Sequence, residues 1–262
     1  MPENNVFDLY GRNNADELFA QGIIAIKDIP QSFKLNDKQD IQRKCAKSGK
    51  LFISKENIKH FLNTLHPPLY FMDFETFSTA IPLYDGTRPY QQVPFQFSLH
   101  LVEDGVQKHF YFLASGKNDP REEFASELKK VIGDKGTIVT FNSSFEKGRL
   151  KEIAESFPKE KKWIENVNDR IVDLLIPFRN FHYYNPKQQG SASIKSVLPA
   201  LIGKGYEDLE IAEGGGASLA FLDLVFEKNI DKKKLKEDLL KYCERDTEAM
   251  IWILRELKKI VE

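Results

Sequence analysis

Cysteine is nearly missing: Cys45 and Cys243 are the two in 262 residues. They match no paired metal-ligand spacing and no disulfide framework, so they read as free thiols in a reducing compartment. An excess of charge of one sign is missing as well. The formal net charge is -1, which excludes a bulk basic field for long-range capture of a polyanion, although a local grip on a few nucleotides stays open. No apolar run approaches the ~18 residues that cross a bilayer. The opening "MPENNVFDLYGRNN" has no apolar stretch of the signal-peptide kind. A cytoplasmic protein with no membrane partner is the expectation. The glycine run "EGGGAS", Glu213 to Ser218, lacks the Gly-Lys-Ser/Thr of a phosphate loop and reads as a hinge before a helix.

The chain does have apolar bulk: 41% hydrophobic and 12% aromatic residues, enough for a sizeable core. Residues 1–66 read as a small helical arm, with Ser54 as a helix cap and a stop at "HPP". Within the arm, "LFAQGIIAIKDIP" bears a faint likeness to a helix–hairpin–helix turn and reads more simply as a brace. Residues 67–262 read as a second domain. There "LYFMDFET" is a strand, and "FQFSLHLVED" with "VQKHFYFLA" a hairpin about Asp104-Gly105. "NDPREEFASELKKVI" is a helix opened by Asn118 or Asp119 and Pro120. "GTIVTFN" and "RIVDLLIPF" are extended, "SSFEKGRLKEIAESF" is helical, and helices follow to the end. The fold class expected is α/β, a mixed sheet flanked by helices. "FRNFHYYNP", Phe178 to Pro186, interleaves aromatics with cations. That composition suits base stacking or plain packing.

Acids stand on apolar faces at three places. Alternation along a strand puts Leu69, Phe71, Asp73 and Glu75 on one side and Tyr70, Met72 and Phe74 on the other. Two carboxylates two residues apart in a low-dielectric site repel unless a cation intervenes, and hard oxygen ligands suit Mg²⁺ or Mn²⁺. On the last helix, Leu239, Tyr242, Asp246, Met250, Ile253, Leu257 and Ile260 form one stripe. Asp246 breaks its apolar character and needs a partner. The third acid, Glu146, shares a stripe with Leu150, Ile153 and Phe157. Ser143-x-x-Glu146 also fits a capping box, a competing explanation for that acid.

Taken in order, these features resemble the DEDDy branch of the DnaQ-like 3′–5′ exonucleases, of the ribonuclease H-like fold. Asp73 and Glu75 match a D-x-E motif followed by Thr76. "FNSSFEKGRL", with Asn142 and Phe145, is similar to a second motif. Tyr242 and Asp246 match Y-x-x-x-D. The phrases "FMDFET", "RPYQQVPFQFSLH", "SVLPAL" and "YCERDTEAM" also resemble an uncharacterised bacterial domain family within that fold, whose members often end longer proteins. Glu146 stands where that family has Asp, so Asp173 in "IVDLL" is the alternative fourth acid. The resemblance implies a ribonuclease H-like mixed sheet and a two-metal site for Mg²⁺ or Mn²⁺ held by Asp73, Glu75, Glu146 and Asp246. It implies that Tyr242 orients a water, and that the substrate is the 3′ end of single-stranded DNA or RNA, with Thr76, Phe77, Asn142 and Phe145 beside it. Two alternatives stay open: a degenerate domain that binds nucleic acid or a protein partner without cutting, and a ribonuclease H-like endonuclease.

Overall fold

The greasy run Leu69–Phe77 becomes the middle strand of a five-stranded sheet in the computed structural model, which describes residues 1–262. We label the strands β1 (Leu69–Phe77), β2 (Val93–Glu103), β3 (Val106–Leu113), β4 (Thr137–Thr140) and β5 (Ile171–Asp173). Their order is β3-β2-β1-β4-β5. β2 runs antiparallel to β1 and to β3, while β4 is parallel to β1 and β5 parallel to β4. The α/β mixed sheet flanked by helices is therefore as the residue pattern predicts. The β2–β3 hairpin turns on Asp104 and Gly105, both at positive φ (49° and 79°). That is the backbone a two-residue turn needs to match strand twist.

The helices of this part are α1 (Arg121–Val131), α2 (Ser144–Ser156), α3 (Lys161–Asp169), α4 (Gly214–Phe226) and α5 (Lys232–Val261). Both faces of β1 are covered, which is why the strand is apolar on both sides. On the Tyr70–Met72–Phe74 side, the Phe124 ring of α1 meets Phe74 and Phe97 edge-on, with centroids 4.9 and 5.5 Å apart. On the other side α5 lies over the sheet, where Gln96 Nε2 donates to the Leu239 carbonyl at 2.8 Å. β4 is brought alongside β1 by Gly136 at φ +90°, where a Cβ would sit 2.1 Å from the Pro68 carbonyl oxygen. Only glycine fits there.

The chain divides into two compact units. One, Thr64–Leu174 with Tyr206–Trp252, holds the sheet. The other takes in Met1–Asn63, Leu175–Gly205 and Ile253–Glu262. It is larger than the arm expected over residues 1–66, because segments distant along the chain join it. Its helix Asp37–Ser48 carries a capping box from Asn36 and Gln39 and ends on Gly49 in the left-handed region. The strand Phe52–Ile53 pairs with Tyr183–Tyr184. Phe178, Phe181, Tyr183 and Tyr184 are all buried, so the "FRNFHYYNP" aromatics pack within this unit instead of offering open faces to bases. No helix is long and apolar enough to cross a membrane.

Candidate metal centre

β1 delivers the first two acids. Asp73 stands opposite Ser98, and Glu75 opposite Gln96. Gln96 and Ser98 bond to the backbone of Leu239 and the hydroxyl of Thr247 on α5. Asp73 and Glu75 therefore face α5, since directly paired residues share a sheet face. From α5, Cys243 puts its sulfur 3.8 Å from Asp73 Oδ2. One oxygen each from Asp73 and Glu75 and the Cys243 sulfur lie within 4.8 Å of one another. On the same helix Tyr242 and Asp246 are buried, as are Leu239, Met250, Ile253 and Leu257. The predicted stripe is the inward face of α5, and only its last member, Ile260, is half-buried.

α2 supplies Glu146. The capping-box explanation fails. Ser143 has helical backbone angles and makes no side-chain cap bond. Its hydroxyl instead approaches Asp173 Oδ2 at 3.4 Å. Glu146 is only 2% exposed, and its Oε2 has no hydrogen-bond partner. Asp173 does a different job: its Oδ1 accepts the Asn142 amide N–H at 2.9 Å. It pins the turn from β4 into α2.

The charges press on one another. Burial raises the Asp73 carboxyl well above the usual carboxylate range, and Asp246, Glu75 and Glu146 each raise it further. Burial pushes Glu146 to about 8; Asp173 and Asp246 push the same way, against its own backbone amide and Arg149. Burial, then Asp246, Glu75 and Asp73, raise Tyr242. Its hydroxyl stays protonated, and it can donate a hydrogen bond but not serve as a base. The Cys243 thiol is held protonated by burial and then by Asp73, Glu75 and Asp246.

Two participants carry no clear signal in the sequence. Tyr206 is buried, and its hydroxyl donates to Asp246 Oδ1 at 2.5 Å. It lies in an irregular segment with no periodicity to mark it. The glycine run is the other. Gly214–Gly216 form the first turn of α4, not a hinge. A Cβ on Gly214 would lie 3.9 Å from Glu75 Oε2 and 4.0 Å from the Tyr242 hydroxyl, so bare backbone comes close to the acids.

The expected substrate contacts fare unevenly. Phe77 is 2% exposed, and its ring packs with Tyr84, Phe95 and Phe221. It is a core residue with no open face for a base. Thr76 is buried, and its hydroxyl donates to Gln92 Oε1. A bulge between Glu75 and Thr76 breaks the alternation at that point. Asn142 is exposed at φ +80°, a left-handed position that asparagine tolerates, and its side chain accepts from Ser144. Phe145 is half-buried, with the Arg149 guanidinium 5.3 Å from its ring centroid.

Residues 70–193 match the model of a family described as a domain of unknown function, DUF2779. That segment carries Asp73, Glu75 and Glu146, while Tyr242 and Asp246 lie beyond it. The chain is 28% identical over 240 residues to the uncharacterized protein MG366 of Mycoplasma genitalium, a match over 82% of this chain and 36% of the relative. It is 31% identical over 209 residues to the MG366 homolog of Mycoplasma pneumoniae, over 70% and 31% of the two chains. It is 25% identical to the uncharacterized protein UU173 of Ureaplasma parvum over 82% and 35%. The chain thus spans about a third of the length of these curated relatives. No solved structure gives a significant match.

Proposed function

We propose that the sheet unit is a metal-dependent 3′–5′ exonuclease of the DnaQ-like, DEDDy kind, acting on the 3′ end of single-stranded DNA or RNA within a longer cytoplasmic nuclease. The observation that carries the reading is a buried negative cluster with an oxygen left over. Asp73 feels the charges of Asp246, Glu75 and Glu146, Glu146 feels that of Asp246, and Glu146 Oε2 is buried with no hydrogen-bond partner. A buried polar atom of that kind calls for an explanation, and an ion is one. The all-carboxylate donor set suits Mg²⁺ or Mn²⁺. The mixed sheet, with its central acid-bearing strand, supports the ribonuclease H-like form of the fold.

In this reading Asp73, Glu75, Glu146 and Asp246 would hold the divalent cations. When bound, these ions lower the pKa of a water and offset charge on the leaving oxygen. The chain's own contributions are distinct. Tyr242, kept protonated, donates toward the attacking water and orients it. Tyr206 fixes the rotamer of Asp246 through its 2.5 Å bond. Asp173 and Asn142 hold the start of α2, so that Glu146 enters the site from its first turn. The bare start of α4 brings glycine backbone close to Glu75 and Tyr242.

The test is shortening of a 5′-labelled single strand by purified protein with Mg²⁺ or Mn²⁺. The expected result is stepwise loss from the 3′ end, no action on a closed circle, and arrest by chelation. Asp73→Asn should lower the rate by on the order of 10²–10³-fold or more, the scale of losing one charge-stabilising group. Intact DNA and RNA ends with either metal would sink the reading. Glu146 in place of the family's Asp favours a second reading, a domain that binds nucleic acid or a partner without cutting. Calorimetry decides between them: heat of Mn²⁺ binding lost in Asp73→Asn favours the enzyme, and no heat favours the binder.

A further inference from the structure

A second cluster sits beside the acids on the same face of the sheet. His100 of β2 and His109 of β3 are directly paired across the strands, and their rings stack with centroids 4.3 Å apart. Glu244 of α5 comes down on them, its Oε1 3.3 Å from His109 Nδ1. One nitrogen of each histidine and one Glu244 oxygen lie within 4.8 Å of one another.

The hydrogen-bond protons around these rings can be counted. The Thr247 hydroxyl donates to the Glu244 carbonyl at 2.9 Å, which commits its one proton. With that proton on the Glu244 carbonyl, Ser98, 2.8 Å from Thr247 Oγ1, is the donor of that pair. Both hydroxyl protons are now spent. In that arrangement the 2.9 Å contact of His109 Nε2 with Ser98 and the 2.8 Å contact of His100 Nδ1 with Thr247 are donated by the rings. In the neutral rings this leaves His109 Nδ1 and His100 Nε2 as bare lone pairs. Burial keeps both rings toward the neutral form: His100 falls to about 4, with His109 adding to the shift, and His109 also falls, against the pull of Glu244. A lone pair and a carboxylate oxygen then face each other at 3.3 Å. In that arrangement a cation between the two acceptors would satisfy both. Ligands bound tetrahedrally at ~2.0 Å stand roughly 3.3 Å apart, so the spacing is that of two ligands on one zinc ion.

We propose that His100, His109 and Glu244 form a separate site for a borderline-soft divalent transition ion, of which Zn²⁺ is the type. Imidazole nitrogens with one carboxylate select such an ion over Mg²⁺. Ser98 and Thr247 orient the rings from behind, as outer partners of metal-bound histidines do. His100 is buried, while the side chains of His109 and Glu244 are 24% and 41% exposed. An ion therefore has a route in from solvent past His109 and Glu244. Its effect is to tie α5, near Asp246, to β2 and β3.

The experiment titrates Zn²⁺ alone, and Co²⁺ as its spectroscopic stand-in, into metal-stripped Asp73→Asn protein, where the acid cluster is weakened. The expected result is one Zn²⁺ bound per chain, with visible Co²⁺ bands of a nitrogen-ligated ion. His109→Gln and Glu244→Gln should each weaken Zn²⁺ binding by at least ~10-fold, with Ser98→Ala lying within the ~10–100-fold range of outer-partner loss. Glu244 is at the surface, so its variant folds whatever becomes of the histidines. The proposal is overturned if Asp73→Asn protein binds no Zn²⁺, or if its affinity is unchanged by both His109→Gln and Glu244→Gln. Neither outcome depends on nuclease activity, so the exonuclease reading stands or falls separately.

Discussion

The sheet unit buries ionisable side chains in two places and treats them in opposite ways. At the start of α1, Arg121 is 4% exposed, and every direction is answered from within the chain. It makes a forked bond to Asp119, a bond to Ser156 Oγ and a bond to the Asp85 carbonyl. At the acid cluster, burial and then Asp246, Glu75 and Glu146 raise Asp73, Asp246 also raises the buried Glu146, and Glu146 Oε2 has no hydrogen-bond partner. A chain that surrounds a buried charge with partners in one corner buries, in another, a carboxylate oxygen of Glu146 with none. On the proposed reading, the difference separates a charge placed for structure from charges placed for a cation.

The comparison breaks most visibly at Glu146. Its carboxyl has an ordinary pKa of 4.5 and is held at about 8 in the folded protein. The folded state therefore keeps a proton that the unfolded state releases. Stability contributed by this group is present below about pH 4.5 and is lost as pH rises toward about 8. Without metal, Glu146→Gln should stabilise the protein by about 3 kcal/mol at pH 8. That figure follows from roughly 1.4 kcal/mol for each tenfold change in proton affinity, with allowance for relaxation. The substitution should also flatten the fall in stability between pH 5 and 8. Urea denaturation in chelator across that range measures both, and a destabilised Glu146→Gln would mean the acid is internally satisfied. The opposite sign is expected at the other corner. Asp119→Ala strands a buried guanidinium and should cost about 3 kcal/mol.

Much of this contrast is visible in the order of residues, and what is hidden has physical causes. Asp73 and Glu75 are legible because period-two alternation on a strand buried on both sides makes two acids conspicuous. Asp246 is legible because a 3.6-residue stripe isolates it among apolar neighbours. Glu146 is ambiguous, since Ser-x-x-Glu satisfies a local capping pattern as well as it marks a site. Only the tertiary pull of Asp173 on Ser143 removes the local option. Thr76 and Phe77 mislead because the bulge after Glu75 is an event of strand pairing with β2, invisible within β1 itself. The glycines at the start of α4 read as a hinge because glycine disfavours helices; their use here is closeness to Glu75 and Tyr242, a contact set by distant residues. The division into two units is hidden for the same reason, because Leu175–Gly205 and Ile253–Glu262 join residues far away along the chain.

Tyr206 sharpens the comparison at its smallest scale. It gives Asp246 an internal hydrogen-bond donor, as Ser156 and the Asp85 carbonyl give Arg121 internal acceptors. A phenol, however, satisfies one lone pair of a carboxylate without neutralising it. Its proton is held firmly: burial, followed by the charge of Asp246, keeps the Tyr206 hydroxyl well above the usual phenol range. Asp246 is thus held in place while its charge stays available to a cation. Tyr206→Phe removes the positioning and leaves the charge. It should weaken Mn²⁺ binding by about 10-fold, as loss of an outer partner of a metal ligand does, without abolishing it. Asp246→Asn should abolish it. Calorimetry on the two variants tests the distinction. Equal losses would mean Tyr206 shares the ligand role, and no loss in Tyr206→Phe would mean Asp246 is held in place without the Tyr206 bond.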